Sequence, residues 1–364
     1  MKKLLVQGMV VVTIALSAVL VAQQAQQAKP AAPAAPASMP LGTPGPNIPA
    51  GKAPEQGYVP DGWYPHEGGL LKYRVAIRFG LEPVQTPSWY GGGRMSDVAN
   101  DAQGNVYVIQ RGEAADPVCV LDPTGKFLRG WGKGMFGSGH GIRVDREGNV
   151  WTVDTVTQQI LKFTSDGKLL QSWGQLKVAG TDKANTFNRP TNVGWDSQGN
   201  TYISDGYGNS RVVKLDKSGK YLMEWGTPGD GPSQFRLPHV VAVDSKDRIY
   251  ISDRENNRIQ IFDTNGKLIK IWTHVGSVQS IFITPKDEIW LNTHRNNTEN
   301  IVFDTLEGRL MKLDLESGKI LASAECPGHG MSVSPNGDIF VASLTGNVFR
   351  WYPYEAKWPQ KPAK

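Results

Sequence analysis

Asp196-Ser-Gln-Gly-Asn-Thr-Tyr-Ile-Ser-Asp205 decides the fold, read with the segments that follow it: Arg211-Val-Val-Lys-Leu215, Lys217-Ser-Gly-Lys220 and Tyr221-Leu-Met-Glu-Trp225. An Asp/Gly/Asn turn leads into a strand, then a second strand, a second glycine turn and a strand ending in tryptophan. Alternating β-branched and aromatic residues between such turns mark antiparallel hairpins. The unit recurs along the chain. Asp101-Ala-Gln-Gly-Asn105 and Asp145-Arg-Glu-Gly-Asn149 are close copies of the turn. Asp244-Ser-Lys-Asp-Arg248, Thr284-Pro-Lys-Asp-Glu288 and Ser334-Pro-Asn-Gly-Asp338 are looser ones. Short strands returning every 40–50 residues, roughly, have the period of a propeller blade. No stretch offers a long helical period, so the reading is all-β.

The copies resemble NHL repeats, and the fold expected is a six-bladed NHL-type β-propeller over residues 70–354. The last copy shows only three strands. Tyr73-Arg-Val-Ala-Ile-Arg-Phe79 stands ahead of the first copy without a partner. It is expected to supply the outer strand of the sixth blade and so close the ring, which removes an open sheet edge.

The flanks read differently. Lys2 and Lys3 precede an apolar run, Leu4 to Ala22, and then Gln/Ala-rich sequence. This is the pattern of a secretory signal over residues 1–28, with an uncleaved membrane anchor as the second reading. Residues 29–69 are dominated by Pro, Ala and Gly and read as an extended linker, and residues 355–364 as a tail. The expected location is the periplasm or the exterior, and the expected state a monomer. The formal charge of +5 is spread without a basic run, which gives nucleic-acid binding no support. Cys119 and Cys326, the two cysteines, fall in different parts of different blades and read as separate small hydrophobes.

Counting back five residues from each turn gives Ser96, His140, Thr191, His239, Gln279 and His329. Histidine takes the second, fourth and sixth places only, three of the six histidines in the chain. In a propeller the first strand of each blade lines the axis. Alternate blades are about 120° apart around it, so three imidazoles converge there. That is the donor set of a catalytic Zn²⁺ with one coordination position open. The exit of each second strand overlooks the same mouth, and there stand Arg111, Thr155, Gly206, Arg254, His294 and Leu344. Arg111 and Arg254 belong to opposite blades and form a candidate carboxylate clamp. Tyr207, one residue past Gly206, is a candidate general base.

Particular stretches go beyond the repeat. Phe187-Asn-Arg-Pro-Thr-Asn192, Ile203-Ser-Asp-Gly-Tyr-Gly-Asn-Ser-Arg211, Gln234-Phe-Arg-Leu-Pro-His-Val240 and Ser252-Asp-Arg-Glu-Asn-Asn-Arg-Ile-Gln260 resemble the peptidyl-α-hydroxyglycine α-amidating lyases. So does Gly139-His-Gly-Ile-Arg-Val-Asp145. The resemblance implies a zinc-dependent carbon–nitrogen lyase acting on a peptide or small molecule that ends in a carboxylate. A C-terminal α-hydroxyglycine would be split into an amide and glyoxylate. It puts His140, His239 and His329 on zinc, Tyr207 in the active site and Arg111 and Arg254 on the substrate. It also implies a structural Ca²⁺ held by an aspartate after the third histidine, but Gly330 stands at that place. Two other classes remain open on the residues alone. One is an exported propeller that binds a protein or glycan without catalysis. The other is a lactonase-type hydrolase, whose hard-cation site would draw on Asn192.

Overall fold

The computed structural model describes residues 94–111, 115–293, 308–326, 328–344 and 346–353, with the strands Tyr58–Val59 and Tyr73–Ala76. These lie in one compact unit, Pro44–Lys364. The expected signal peptide, the C-terminal tail and His294 lie outside the described residues, as does the linker apart from Tyr58–Val59.

The aspartate turn explains why the hairpins form where they do. Asp196 Oδ1 accepts the backbone N–H groups of Gln198 and Asn200 at 3.0 and 2.9 Å. Gly199 takes φ +79°, a conformation open to glycine without steric penalty. The other carboxylate oxygen accepts the Tyr202 hydroxyl at 2.9 Å, so the turn is tied to the core face of the strand it opens. Asp101 with Tyr107, Asp145 with Trp151 and Asp244 with Tyr250 repeat the arrangement.

Five blades are four-stranded antiparallel sheets in chain order. Blade one runs from Met95–Asn100 to Phe127–Trp131, blade two from Gly139–Val144 to Leu169–Trp173, and blade three from Asn192–Trp195 to Tyr221–Trp225. Blade four runs from Pro238–Val243 to Leu268–Trp272 and blade five from Val278–Ile283 to Ile320–Glu325. Blade six holds Gly330–Val333, Ile339–Ser343 and Asn347–Pro353. Tyr73–Ala76 pairs antiparallel with the last of these, Val75 opposite Trp351, so the expected closure is present. Tyr58–Val59 adds a fifth strand outside it. Apart from one 3-10 turn at Arg254–Asn256, the described residues hold no helix. None among them is long and apolar enough to cross a membrane.

Consecutive first strands pack on one another around the axis, and that of blade six returns to that of blade one. The tryptophan ending a fourth strand reaches the next blade. Trp173 stacks on Trp151 at 4.8 Å and 8° and donates its indole N–H to Gly219 O at 2.9 Å. A Cβ on Gly219 would lie 2.5 Å from the Trp173 ring, so only glycine lets this seam close. Trp131 on Gly167, Trp225 on Gly266 and Trp272 on Gly318 repeat the ring-over-glycine contact without the N–H donation. The two buried ones, Trp173 and Trp272, are each worth about 3–5 kcal/mol of packing. Cys119 and Cys326 are buried in different hydrophobic clusters.

Candidate metal centre and active site

His140, His239 and His329 each sit at or just before the start of a first strand, where the backbone turns inward to the axis. All three are buried. Their ring centroids lie 4.8 to 5.1 Å apart, with the rings nearly perpendicular to one another. One ligand nitrogen from each falls within 4.8 Å of the others, so the trio could hold a metal ion.

The alternate repeat positions supply the partners. His140 Nδ1 lies 2.8 Å from Thr191 O, His239 Nδ1 2.8 Å from Gln279 O, and His329 Nδ1 2.6 Å from Ser96 O. A carbonyl can only accept, so in each of the three rings Nδ1 carries a proton. Such a carbonyl contact is what orients a ligating imidazole. Burial pushes His140 and His239 well below the ordinary histidine value, and the neighbouring cationic groups add to it. Both are therefore neutral, the form that binds metal.

Tyr207 closes over this group. Its hydroxyl lies 3.1 Å from His140 Nε2 and 3.3 Å from His239 Nε2. Arg254 Nη1 donates to the same oxygen at 3.3 Å and to Gln279 Oε1 at 3.4 Å. Glu255 pairs with the far side of that guanidinium at 2.9 Å. Arg111 Nε donates to Ser96 Oγ at 2.7 Å and Gly139 O at 3.2 Å, which anchors one edge of its fork. Burial lowers the Arg111 value, while Tyr207 opposes the shift. Both guanidiniums bear on His140. The six residues singled out in the sequence thus share one mouth.

Arg189 was missed. Its guanidinium lies 5.0 Å from the Tyr207 ring centre, as that of Arg254 lies 5.3 Å from it. Its φ of +57° is left-handed, uncommon outside glycine, and its carbonyl accepts the Tyr207 N–H at 3.2 Å. The repeat count could have found it. Arg189 stands two residues before Thr191 as Arg94 stands two before Ser96, and Arg94 O likewise accepts the Arg111 N–H. Asn192, the feature enlisted for a lactonase site, is buried with its Oδ1 unpartnered among the described residues.

Fold and site together define a six-bladed propeller with three imidazoles on its axis and a phenol and guanidiniums at the mouth. The NHL repeat family model matches residues 235–262. The chain is 33% identical over 303 residues to mouse NHL repeat-containing protein 3, covering 78% of this chain and 86% of that one. It is 27% identical over 243 residues to a probable peptidyl-alpha-hydroxyglycine alpha-amidating lyase of Caenorhabditis elegans, covering 62% and 67%. Rat peptidylglycine alpha-amidating monooxygenase is 34% identical over 207 residues, covering 48% of this chain and 21% of that protein. The chain thus spans about a fifth of the rat relative's length. Among solved structures, a streptogramin B lyase superposes with a TM-score of 0.53 at 13% identity, over 76% of this chain and 97% of that one, a likeness of fold alone. The chain belongs to the NHL-repeat propeller family, and it is also similar to peptidyl-alpha-hydroxyglycine alpha-amidating lyases of worm and fly.

Proposed function

We propose that this protein is a zinc-dependent carbon–nitrogen lyase. It would cleave a C-terminal α-hydroxyglycine, or a related N-acyl α-hydroxyglycine, to an amide and glyoxylate. The observation that carries the reading is the Tyr207 hydroxyl, within 3.3 Å of two imidazole Nε2 atoms and of the Arg254 guanidinium. A proton acceptor there stands beside both the metal-facing nitrogens and a carboxylate-binding cation. The name of the worm relative supports the same chemistry, and that of the rat relative supports peptide amidation more broadly.

The donor set supports zinc. Three imidazoles with no carboxylate among them suit a borderline ion better than calcium or magnesium, and they would leave a coordination position open. Bound there, zinc supplies Lewis acidity toward the substrate hydroxyl.

The chain's own residues do the rest. Acting as the phenolate, Tyr207 accepts the proton of the α-hydroxyl and becomes a phenol. The electrons of that O–H bond form the carbonyl of glyoxylate as the C–N bond breaks. The departing amide nitrogen takes the electron pair and a proton, which Tyr207 can return. Arg254 and the free edge of Arg111 hold the substrate carboxylate in a bidentate manner. Their charge also stabilises the negative charge that develops on the hydroxyl oxygen.

We also propose export to the periplasm or beyond, on the strength of Lys2, Lys3 and the apolar run from Leu4 to Ala22. A second reading, a binding propeller, draws support from NHL repeat-containing protein 3, whose name states no activity. Glyoxylate release from a simple N-acyl-α-hydroxyglycine separates the two. Release that stops with chelator and returns with Zn²⁺ is the expected result. A folded, zinc-loaded protein that releases none would leave the binding propeller.

A further inference from the structure

The first strands of blades one, two and six share a buried ion pair directly behind the histidines. Asp97 follows Ser96 and is fully enclosed. Its Oδ1 accepts the Val98 N–H at 2.9 Å. Its Oδ2 accepts the Ile142 N–H at 3.0 Å and the Arg143 Nη1 at 2.5 Å. The same Nη1 donates to Ile142 O at 2.7 Å. The third strand, in blade six, contributes an absence. A Cβ on Gly330 would fall 2.0 Å from Asp97 Oδ1 and 2.5 Å from its Cα, so any side chain there would displace the carboxylate.

A carboxylate taken out of water needs a compensating positive charge. A carboxylate oxygen and a backbone carbonyl facing one point are the donors a hard cation uses. In this chain Arg143 Nη1 occupies that point. The resemblance noted above would put a carboxylate at position 330 and calcium beside it. Here the carboxylate is that of Asp97, Gly330 carries no side chain, and the positive charge belongs to Arg143.

We propose that Arg143 is a built-in cation that replaces a structural calcium ion and, through Asp97, positions the tri-histidine centre. The mechanical route is short. Asp97 is bonded to Ser96, whose carbonyl orients His329, and it grips Ile142, two residues past His140. The pair therefore fixes the distance between a histidine's carbonyl partner on blade one and a ligand on blade two. Neither Asp97 nor Arg143 touches substrate or metal, so both are positioning residues. The proposal uses the zinc-centre part of the reading above and not the turnover.

The test measures metal and stability. Chelator-treated protein is reconstituted with zinc alone, and its thermal unfolding is followed with and without millimolar calcium. The expected result is no shift of the midpoint. A midpoint raised by calcium overturns the proposal, and this arm needs no variant. Arg143→Met is then expected to raise the zinc dissociation constant roughly 10–100-fold. It should also alter the visible spectrum of the cobalt-substituted protein, and Arg143→Lys should restore most of both. Unchanged zinc affinity in Arg143→Met sinks the positioning role. Should that variant not fold, the double Asp97→Asn/Arg143→Met carries the measurement, since it leaves no lone buried charge. Failure of the unsubstituted protein to bind zinc would count against the functional reading, while the calcium comparison would still decide this one.

Discussion

The Nδ1 of His329 lies 2.6 Å from the carbonyl oxygen of Ser96, 233 residues away in the chain. This contact joins the last blade to the first at the metal centre itself, so ring closure and ligand orientation are one event. The same relation holds from His140 to Thr191 and from His239 to Gln279. Each imidazole takes a backbone carbonyl from the next blade, which leaves the side chains of Ser96, Thr191 and Gln279 free for other contacts.

Ser96 therefore has two separable tasks. Its carbonyl serves His329, and its hydroxyl serves Arg111 Nε at 2.7 Å. Ser96→Ala keeps the first and removes the second. Zinc content should be unchanged, while KM for the hydroxyglycine substrate rises about tenfold, the scale of one hydrogen bond to a charged group. Steady-state kinetics beside metal analysis checks this. Loss of zinc from the variant would show that the hydroxyl, not the carbonyl, matters to the centre.

Tyr207→Phe removes an oxygen 3.1 Å from His140 Nε2 and leaves the ring contacts with His140 and His239 in place. A lost general base should cut kcat by about 10²–10⁴-fold with little change in KM or zinc affinity. Single-turnover glyoxylate release is the measurement. Turnover within a factor of a few of the parent would remove Tyr207 from the chemistry.

The metal-free protein should weaken in acid. His140 and His239 are held well below their ordinary value of 6.5 by burial first and by nearby cations second. Below 6.5 the unfolded chain takes up protons that the folded chain refuses, so acid favours unfolding. Stability is full above about 6.5 and declines as pH falls from there toward the depressed folded values. Unfolding midpoints of chelator-treated protein, taken from about pH 8 to about pH 5, should fall on the acid side. Zinc retention should fall in the same direction, because protons compete for the same nitrogens. A midpoint that rises as pH drops through this window would mean the imidazoles are not neutral when buried.

The sequence carried the blades because a turn such as Asp196–Asn200 announces itself by chemistry, with the carboxylate, the glycine and the asparagine each doing a local job. It carried the three histidines because their period is two blades. What it did not carry depends on backbone atoms or on contacts between unlike positions. The carbonyls of Thr191, Gln279 and Ser96 have no side-chain signature. Asp97 and Gly330 share the repeat position just after the axial residue, but Arg143 does not, and the three meet only once three blades have folded. Tyr58–Val59 is two residues long in a stretch dominated by Pro, Ala and Gly, too short for a strand period to show. Arg189 sat in a quoted motif, but nothing local said that its side chain would reach a tyrosine on the next strand.

Arg189 is where that gap is most useful. Its guanidinium carbon is 5.0 Å from the Tyr207 ring centre, its backbone carbonyl holds the Tyr207 N–H, and its left-handed backbone is pinned by the Gln158 side chain. A cation over a half-buried aromatic such as Tyr207 contributes about 0.5–1 kcal/mol or somewhat more, so Arg189→Gln should lower kcat by at least roughly two- to fivefold through loss of that contact alone. If the guanidinium also reaches the substrate carboxylate, KM rises as well, and the effect should be larger for substrates bearing a second negative charge. Comparing a neutral with an acidic acyl group separates these roles. A uniform drop in kcat assigns Arg189 to the tyrosine, a selective loss on the acidic substrate assigns it to binding, and no change in either removes it from the site.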